Sequence, residues 1–467
     1  MSTVKLHNTL GRRLSELAPL ESGHVRLYTC GPTVYNVVHI GNLRTFVFED
    51  ILRRHLLAKG YRVTQIMNLT DVDDKTIRGA QEEGVSLAQF TAKYEEAFFR
   101  DIRRLNVQPA ERYPKATDHL PEMIALIEKL RKRGHTYESE GSVYFRIATF
   151  PDYGKLSQID LTQTRRGERV ADDEYEKEDV KDFALWKEGK PGEPSWPSLF
   201  GDGRPGWHIE CSAMSMKYLG THFDIHTGAV DNIFPHHENE IAQSEAATGE
   251  PFVEIWLHAE HLVVDGEKMS KSKGNFYTLD DVLARRDDTA ALRYLFLSVP
   301  YRRKLNFTWD ALAGAAAAVD RIRSAAARIG EVAASGAKKP GAFDALGGGR
   351  KFLDEFTAAM DDDLNTSEAL GALFPYLRDV NVAVDEGSLD AAGAAAALDA
   401  IRSADSVLGI LPTAPEVLPA EIEAKIEARN AARKRRDFAE SDRIRAELAE
   451  RGIVLEDGPS GTRWKKA

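Results

Sequence analysis

Cys30, Cys211, His236, His237 and Glu240 are side chains of types that could hold a metal ion. Cysteine, histidine and glutamate are all competent zinc ligands. In the run PHHENE, Pro235 suits the first turn of a helix. On such a helix His236 and Glu240 stand at i and i+4 on one face, and His237 and Glu240, at i and i+3, are the competing pair. Cys30 and Cys211 are the only cysteines, 181 positions apart, with no CxxC. Their spacing alone leaves buried free thiols as the ordinary reading.

A second set of residues could handle phosphate. His39-Ile40-Gly41-Asn42 lies between a strand-like run and a helix, so the N–H groups of that helix terminus and the His39 imidazole would face one point, a suitable place for an anion. Lys268-Met269-Ser270-Lys271-Ser272 is followed by Lys273, giving three ammonium groups within six residues that repel unless an anion joins them. Taken singly, a helix-start histidine is structural and a Lys-Ser loop is solvated surface. Their order, one motif after the first strand and the other after the last, is what suggests a nucleotide.

The elements that must position these groups are legible as periodicities. HVRLYTC (His24–Cys30) is a β-rich run that stops at Gly31-Pro32. NLRTFVFEDILRRHLLAKG spaces Leu43, Phe46, Val47, Ile51, Leu52 and His55 as on a helix, with Gly60 at its end. RVTQIMNL alternates as a second strand, completing a βαβ unit whose ligands belong at the strands' carboxyl ends. From Ala116 the pattern changes to a helix (His119–Gly134), short strands and the acidic segment DDEYEKEDVKD; α/β character returns near Trp207 and ends with one strand, Trp256–Asp265. Beyond Phe307 the chain is Ala-rich and helical. It is interrupted by a Gly- and Lys-rich stretch, Ala334–Lys351, expected to be a mobile connector, with helices resuming at Phe352. Leu411–Pro419 reads as a linker. The predicted organisation is a Rossmann-like parallel-sheet α/β domain split into 1–115 and 201–307, an insertion at 116–200, an α-helical bundle at 308–415 and a small module at 416–467.

Composition sets the class. The 467 residues carry 62 Lys plus Arg against 73 Asp plus Glu, a net charge of −11, with 43% hydrophobic and 29% charged residues, which excludes a disordered or collagenous chain. The longest apolar runs, such as Ala311–Val319, fall short of the ~18 residues of a membrane span. The first twenty residues lack a continuous apolar signal region. Two cysteines cannot build a disulfide framework and fit a reducing compartment. A cytoplasmic protein with no membrane partner is expected. Lys425–Ala467 runs against the acidic whole, with 12 basic and 8 acidic residues. That asymmetry suggests a polyanion contact, and a solvated helix face is the plainer reading of RKRRD (Arg433–Asp437).

CGPTVYNVVHIGN, NLTDVDDKTI, GWHIECSAM, FDIHTGAVDNIFPHHENEIAQSEA and EKMSKSKGN, in this order, resemble the cysteinyl-tRNA synthetases, a class I aminoacyl-tRNA synthetase family. The likeness extends to the closing GIVLEDGPSGTRWKK (Gly452–Lys466), similar to the family's anticodon-binding tail. It implies ATP, L-cysteine and tRNA(Cys) as partners, magnesium with the ATP, and a monomer. It also implies one zinc ion, held by the residues matching Cys30, Cys211, His236 and Glu240 and binding the substrate thiolate. His39, Gly41, Asn42, Lys268 and Lys271 would hold ATP, His39, Asn42 and both lysines being the catalytic set, and Asp231 would lie near its ribose. Thr70, Trp207 and His226 would line the amino-acid pocket. Arg429, Asp437, Asp457 and Trp464 would lie near anticodon bases. Asn42 and Ala229 depart from the usual class I residues, histidine and glycine.

Ionisation explains why such a pocket would want a metal. Shape alone rejects a similar-sized analogue by only about 10². Half-ionising a thiol of pKa about 8.5 at pH 7 takes roughly 2 kcal/mol, whereas a hydroxyl with a water-like pKa of about 15.7 needs on the order of 12 kcal/mol. Thiolate binding would therefore separate cysteine from serine without editing. Four protein ligands usually mark a closed zinc site, so the substrate needs a fifth position or a Glu240 bond that yields. Two rival readings are a cysteine ligase that passes the amino acid to a small amine, and a catalytically silent RNA-binding regulator. The tail after Pro419 argues against the first, and the intact motifs argue against the second.

Overall fold

Strand β1 (His24–Thr29) leads through α1 (Ile40–Ala58) to β2 (Arg62–Met67), and further along the chain come α2 (Trp207–Leu219), β3 (Phe223–Ala229), α3 (Glu238–Thr248) and β4 (Val253–Ala259). In this computed structural model the four strands form one parallel sheet in the order β4-β3-β1-β2. The residues described are 3–159, 182–335, 343–411, 420–450, 453–458 and 461–466. They fall into two units, Met1–Leu411 and Pro412–Ala467. β1 is apolar on both faces, with Val25, Leu27 and Tyr28 fully buried, as a central parallel strand must be. α1 is closed at its start by a reciprocal His39/Asn42 capping box, and just past its end Gly60 takes φ +85°, a left-handed conformation that glycine adopts without a Cβ penalty. Register places Tyr28 opposite both Ile66 and His226. The residues that follow, Cys30, Asn68 to Thr70, and Val230 and Asp231, thus gather at the sheet's carboxyl edge.

Between the halves of this sheet, Thr136–Ser139, Ser142–Phe145, Phe183–Glu188 and Gly203–Pro205 form an antiparallel four-stranded sheet. All of the acidic segment but Asp182 lies outside the described residues. The expected final strand is in fact two. Val253–Ala259 belongs to the parallel sheet, whereas Leu262–Val264 pairs with Leu305–Phe307 and with Glu267–Lys268 in a separate three-stranded sheet.

A long helix, Trp309–Ala334, opens the helical region. The next helix begins at Ala345 rather than Phe352. Asp344 caps it, accepting the Gly347 N–H at 2.8 Å, and Gly349 lies against the Tyr376 hydroxyl and Ala400, where a Cβ would come within 3.0 and 3.3 Å. Glycine there serves close packing and not mobility; residues 336–342 lie outside the described residues. Thr366–Asp385 and Ala391–Leu408 complete the region.

The second unit holds helices Ala420–Lys434 and Phe438–Glu450 and an antiparallel hairpin, Ile453–Gly458 with Gly461–Lys466, around Ile422, Ile444, Leu448, Ile453 and Leu455. Of the expected linker, only Leu411 is among the described residues. No helix among them is long and apolar enough to cross a membrane.

Candidate active site and metal centre

Cys30, Cys211, His236 and Glu240 come together, one ligand atom from each lying within 4.8 Å of the others, and all four are buried. Cys30 directly follows β1, with its N–H on the Thr227 carbonyl at 3.2 Å. Beside it Gly31 is pressed so closely against the Asn68 backbone that a Cβ would fall 1.7 Å from its carbonyl oxygen. Cys211 lies on α2 and Glu240 on α3. The histidines precede α3: His236 and His237 occupy a π-type turn, Ile233–His237, and the α-helix starts only at Glu238. The turn lets both imidazoles reach Glu240 Oε1, His236 Nε2 at 3.1 Å and His237 Nε2 at 3.9 Å. A second set of ligand atoms, from Cys30, His226, His237 and Glu240, is equally close. Geometry thus keeps both histidines in play, as spacing did.

Burial dominates the electrostatics. It pushes Glu240 up to about 8, against the pull of His236, and holds His226 and His236 down at about 3. It raises the Cys30 thiol as well, helped by the neighbouring Cys211. Charging the carboxyl or the thiols in such a pocket is costly unless a partner rewards their charged forms. A dication among them would do so, because it favours carboxylate and thiolate together and takes neutral imidazole as a ligand. The donor set therefore fits zinc.

Around this cluster stand the other expected pocket residues. His226 on β3 lies 3.1 Å from Glu240 Oε2 through Nε2. The Trp207 ring stacks on His236 at 4.2 Å. Thr70 donates to Glu210 Oε2 at 3.0 Å, and Glu210 is a buried carboxyl raised by desolvation and then by Asp73 and Asp71. Sequence reasoning missed several contacts. His208 Nδ1 lies 2.9 Å from His236 Nδ1; its adjacency to Trp207 in GWHIEC was the available signal. Tyr28, whose hydroxyl is raised by burial and by Cys211 and Cys30, and His258 and Thr9, described below, left no local signal.

At the rim, the helix terminus is occupied differently from the expectation. His39 Nδ1 accepts the N–H groups of Gly41 and Asn42 at 3.1 and 3.2 Å, and Asn42 Oδ1 accepts the His39 N–H at 3.1 Å. These two N–H groups are spent on the cap, and the His39 ring packs edge-on against Phe276 at 5.2 Å. The two motifs meet: the Met269 methyl lies where a Cβ on Gly41 would come within 2.7 Å. Ile40 N–H donates to the Tyr277 carbonyl at 3.0 Å. Lys268 is exposed on the short strand Glu267–Lys268. Lys273 is paired with Glu267 at 2.8 Å, so one of the three ammonium groups already has a carboxylate. Lys271 opens a 3-10 turn, Lys271–Lys273, and its side chain lies outside the described residues. Asp231 is exposed in the turn after β3, close enough to raise the otherwise burial-lowered His39.

In the second unit Arg429 is buried and its Nη1 donates to Asn430 Oδ1 and Thr462 Oγ1 at 3.0 and 3.1 Å. Asp437 is exposed and accepts the Glu440 N–H at 3.2 Å. Asp457 and Trp464 sit on the hairpin opposite Thr462 and Leu455; their side chains lie outside the described residues.

Residues 16–317 match the model of the tRNA synthetases class I (C) catalytic domain, 355–412 the DALR domain, and 416–464 the cysteinyl-tRNA ligase anticodon binding domain. The cysteine–tRNA ligase of Solibacter usitatus is 50% identical over 467 residues, covering 99% of each chain. The chain belongs to the cysteinyl-tRNA synthetase family. The Leptospira interrogans relative is 46% identical over the whole of both chains. Family membership makes the protein a class I enzyme with the α/β fold expected. Solved structures agree on that fold: Mycobacterium tuberculosis methionyl-tRNA synthetase, in complex with methionyl-adenylate, superposes with a TM-score of 0.59 at 16% identity over 83% of this chain and 90% of that one. For the Agrobacterium radiobacter LeuRS-tRNA-LeuAMS complex the values are 0.61, 10% and 84% of each.

Proposed function

We propose that this cysteine–tRNA ligase selects its amino acid through a zinc ion held by Cys30, Cys211, His236 and Glu240. The observation that carries this is the convergence of those four buried donors at the carboxyl edge of the sheet. When bound, zinc supplies a Lewis acid that favours a thiolate over a hydroxyl. The chain's own residues do the rest. Trp207 stacks on the His236 ring while His208 meets its Nδ1, and Thr70 and His226 bound the pocket around the amino acid.

Activation joins the cysteine carboxylate to the α-phosphate of magnesium-bound ATP, releasing pyrophosphate and giving cysteinyl adenylate. His39 and Asn42 steady the phosphates, and Lys268 and Lys271 neutralise charge growing on pyrophosphate. Gly41 lets the two motifs approach, and Asp231 holds the ribose. A terminal ribose hydroxyl of tRNA(Cys) then takes the cysteinyl group. The second unit binds the anticodon; Asp437, Asp457 and Trp464 contact bases there, while Arg429 shapes the site from within. The reaction takes place in a reducing cytoplasm.

The test is cysteine-dependent exchange between ATP and pyrophosphate in zinc-replete protein, followed by charging of tRNA(Cys). Absence of exchange refutes the adenylation step, and exchange without charging favours the small-amine ligase.

A further inference from the structure

Thr9, His258 and His237 lie in a line that ends on Cys30. Thr9 Oγ1 is 2.7 Å from His258 Nδ1, His258 Nε2 is 2.8 Å from His237 Nδ1, and His237 Nε2 is 3.2 Å from Cys30 Sγ. The members come from separate places: the turn after the first strand of the chain (Lys5–Asn8), β4, the π-type turn and the end of β1. The backbone holds the line taut. Thr9 N–H donates to the Trp256 carbonyl at 2.8 Å, and Gly228 makes room for His237, whose Cε1 would lie 2.8 Å from a Cβ there. His237 and His258 are both buried.

A neutral imidazole has one donor and one acceptor nitrogen, so the string has only two self-consistent polarities. If Cys30 carries its proton, S–H donates to His237 Nε2, His237 Nδ1–H to His258 Nε2, and His258 Nδ1–H to the Thr9 oxygen. If Cys30 is a thiolate it can only accept. Every bond then reverses: Thr9 O–H donates to His258 Nδ1, His258 Nε2–H to His237 Nδ1, and His237 Nε2–H to the sulfur. A metal-ligating cysteine is a thiolate. We infer that Thr9, His258 and His237 are positioning residues that hold Cys30 as a metal ligand through this second polarity, with the Thr9 hydroxyl as the terminal donor. The inference rests on the zinc reading above. Its physical content is that an N–H on the sulfur stabilises the thiolate and fixes its direction, as outer-shell partners do for metal ligands.

Thr9→Val removes the hydroxyl and keeps the side-chain shape; Thr9→Ser restores the hydroxyl. Zinc affinity is measured by competition with a chromophoric chelator, and the ligand field by the thiolate-to-metal absorption of cobalt-substituted protein. Thr9→Val should bind zinc about 10- to 100-fold more weakly and shift the cobalt band, while Thr9→Ser matches the parent. Nitrogen NMR of the zinc-loaded parent should show His237 and His258 both protonated at Nε2, a readout that stands even if a variant fails to fold. Unchanged affinity and spectrum in folded Thr9→Val, or Nδ1-protonated tautomers in the parent, overturn the string alone. A parent that binds no zinc overturns the zinc reading and the string with it.

Discussion

At the floor of the cleft, Cys30, Cys211, His236 and Glu240 arrive from separate elements and are all buried. At the rim, the His39–Asn42 and Lys268–Lys273 segments are short, partly exposed and held by their own local hydrogen bonds, including Asn275 Oδ1 on the Ser270 N–H at 2.8 Å. The floor is a set of buried ionisable groups, each costly to charge without its neighbours or a cation beside it. The rim is a set of groups that are exposed or already paired with a neighbour, as Lys273 is with Glu267. Damage to the floor should therefore remove binding and selectivity together, whereas damage to the rim should slow chemistry and leave binding of the amino acid intact.

The strongest break of this contrast is Cys211→Ser. It should abolish stoichiometric zinc and erase the preference for cysteine over serine, read by elemental analysis and by exchange with each amino acid; retained selectivity without metal would defeat the proposal. Next comes Lys268→Ala. Losing the charge proposed to meet the leaving pyrophosphate should lower the adenylation rate by roughly 10² to 10³, with zinc content and cysteine affinity unchanged. If zinc content also falls, floor and rim are not separable.

Glu49 sharpens the account of the floor. It is fully buried on α1, accepts the Thr227 hydroxyl at 2.9 Å and is pushed by burial up to about 8. Between the ordinary carboxyl value and about pH 8 the unfolded chain has released this proton and the folded chain keeps it. Folding stability must then decline as pH rises through that window and level off above it. Glu49→Gln cannot titrate, so its melting temperature should gain on the parent's between pH 5 and pH 8. A constant difference would show that Glu49 is ionised in the fold.

The rim was the more legible region in the sequence because its chemistry is local. The βαβ unit, the helix from Ile40 and both motifs follow from runs of a few residues, and the parallel sheet follows from them. The zinc set could be named only through family resemblance, since no spacing rule links Cys30 to Cys211. The string from Thr9 to Cys30 was invisible for the same reason: its members become neighbours only through sheet register and the π-type turn. Local composition also misled. Gly347 to Gly349 read as a connector, yet Asp344 caps a helix there and Tyr376 lies close beside Gly349. Lys273 read as part of an anion site, yet Glu267 on the preceding strand takes it.

The smallest expected effect tests how the two rim segments meet. Gly41 is in the first turn of α1, where glycine is a poor helix former and alanine a good one. Propensity alone would make Gly41→Ala stabilising. The new Cβ, however, would come within 2.7 Å of the Met269 methyl and 2.9 Å of the His39 ring. A methionine end can move, a ring that caps its own helix much less so. The Met269 end can turn aside, so the strain left by the substitution falls on the His39 ring and loosens the cap. We expect the melting temperature to fall modestly, as a weakened N-cap does, and the KM for ATP to rise several-fold, with cysteine affinity and zinc content as in the parent. A lowered melting temperature with an unchanged KM would mean that the His39 cap, and not the meeting of the two loops, is what requires glycine.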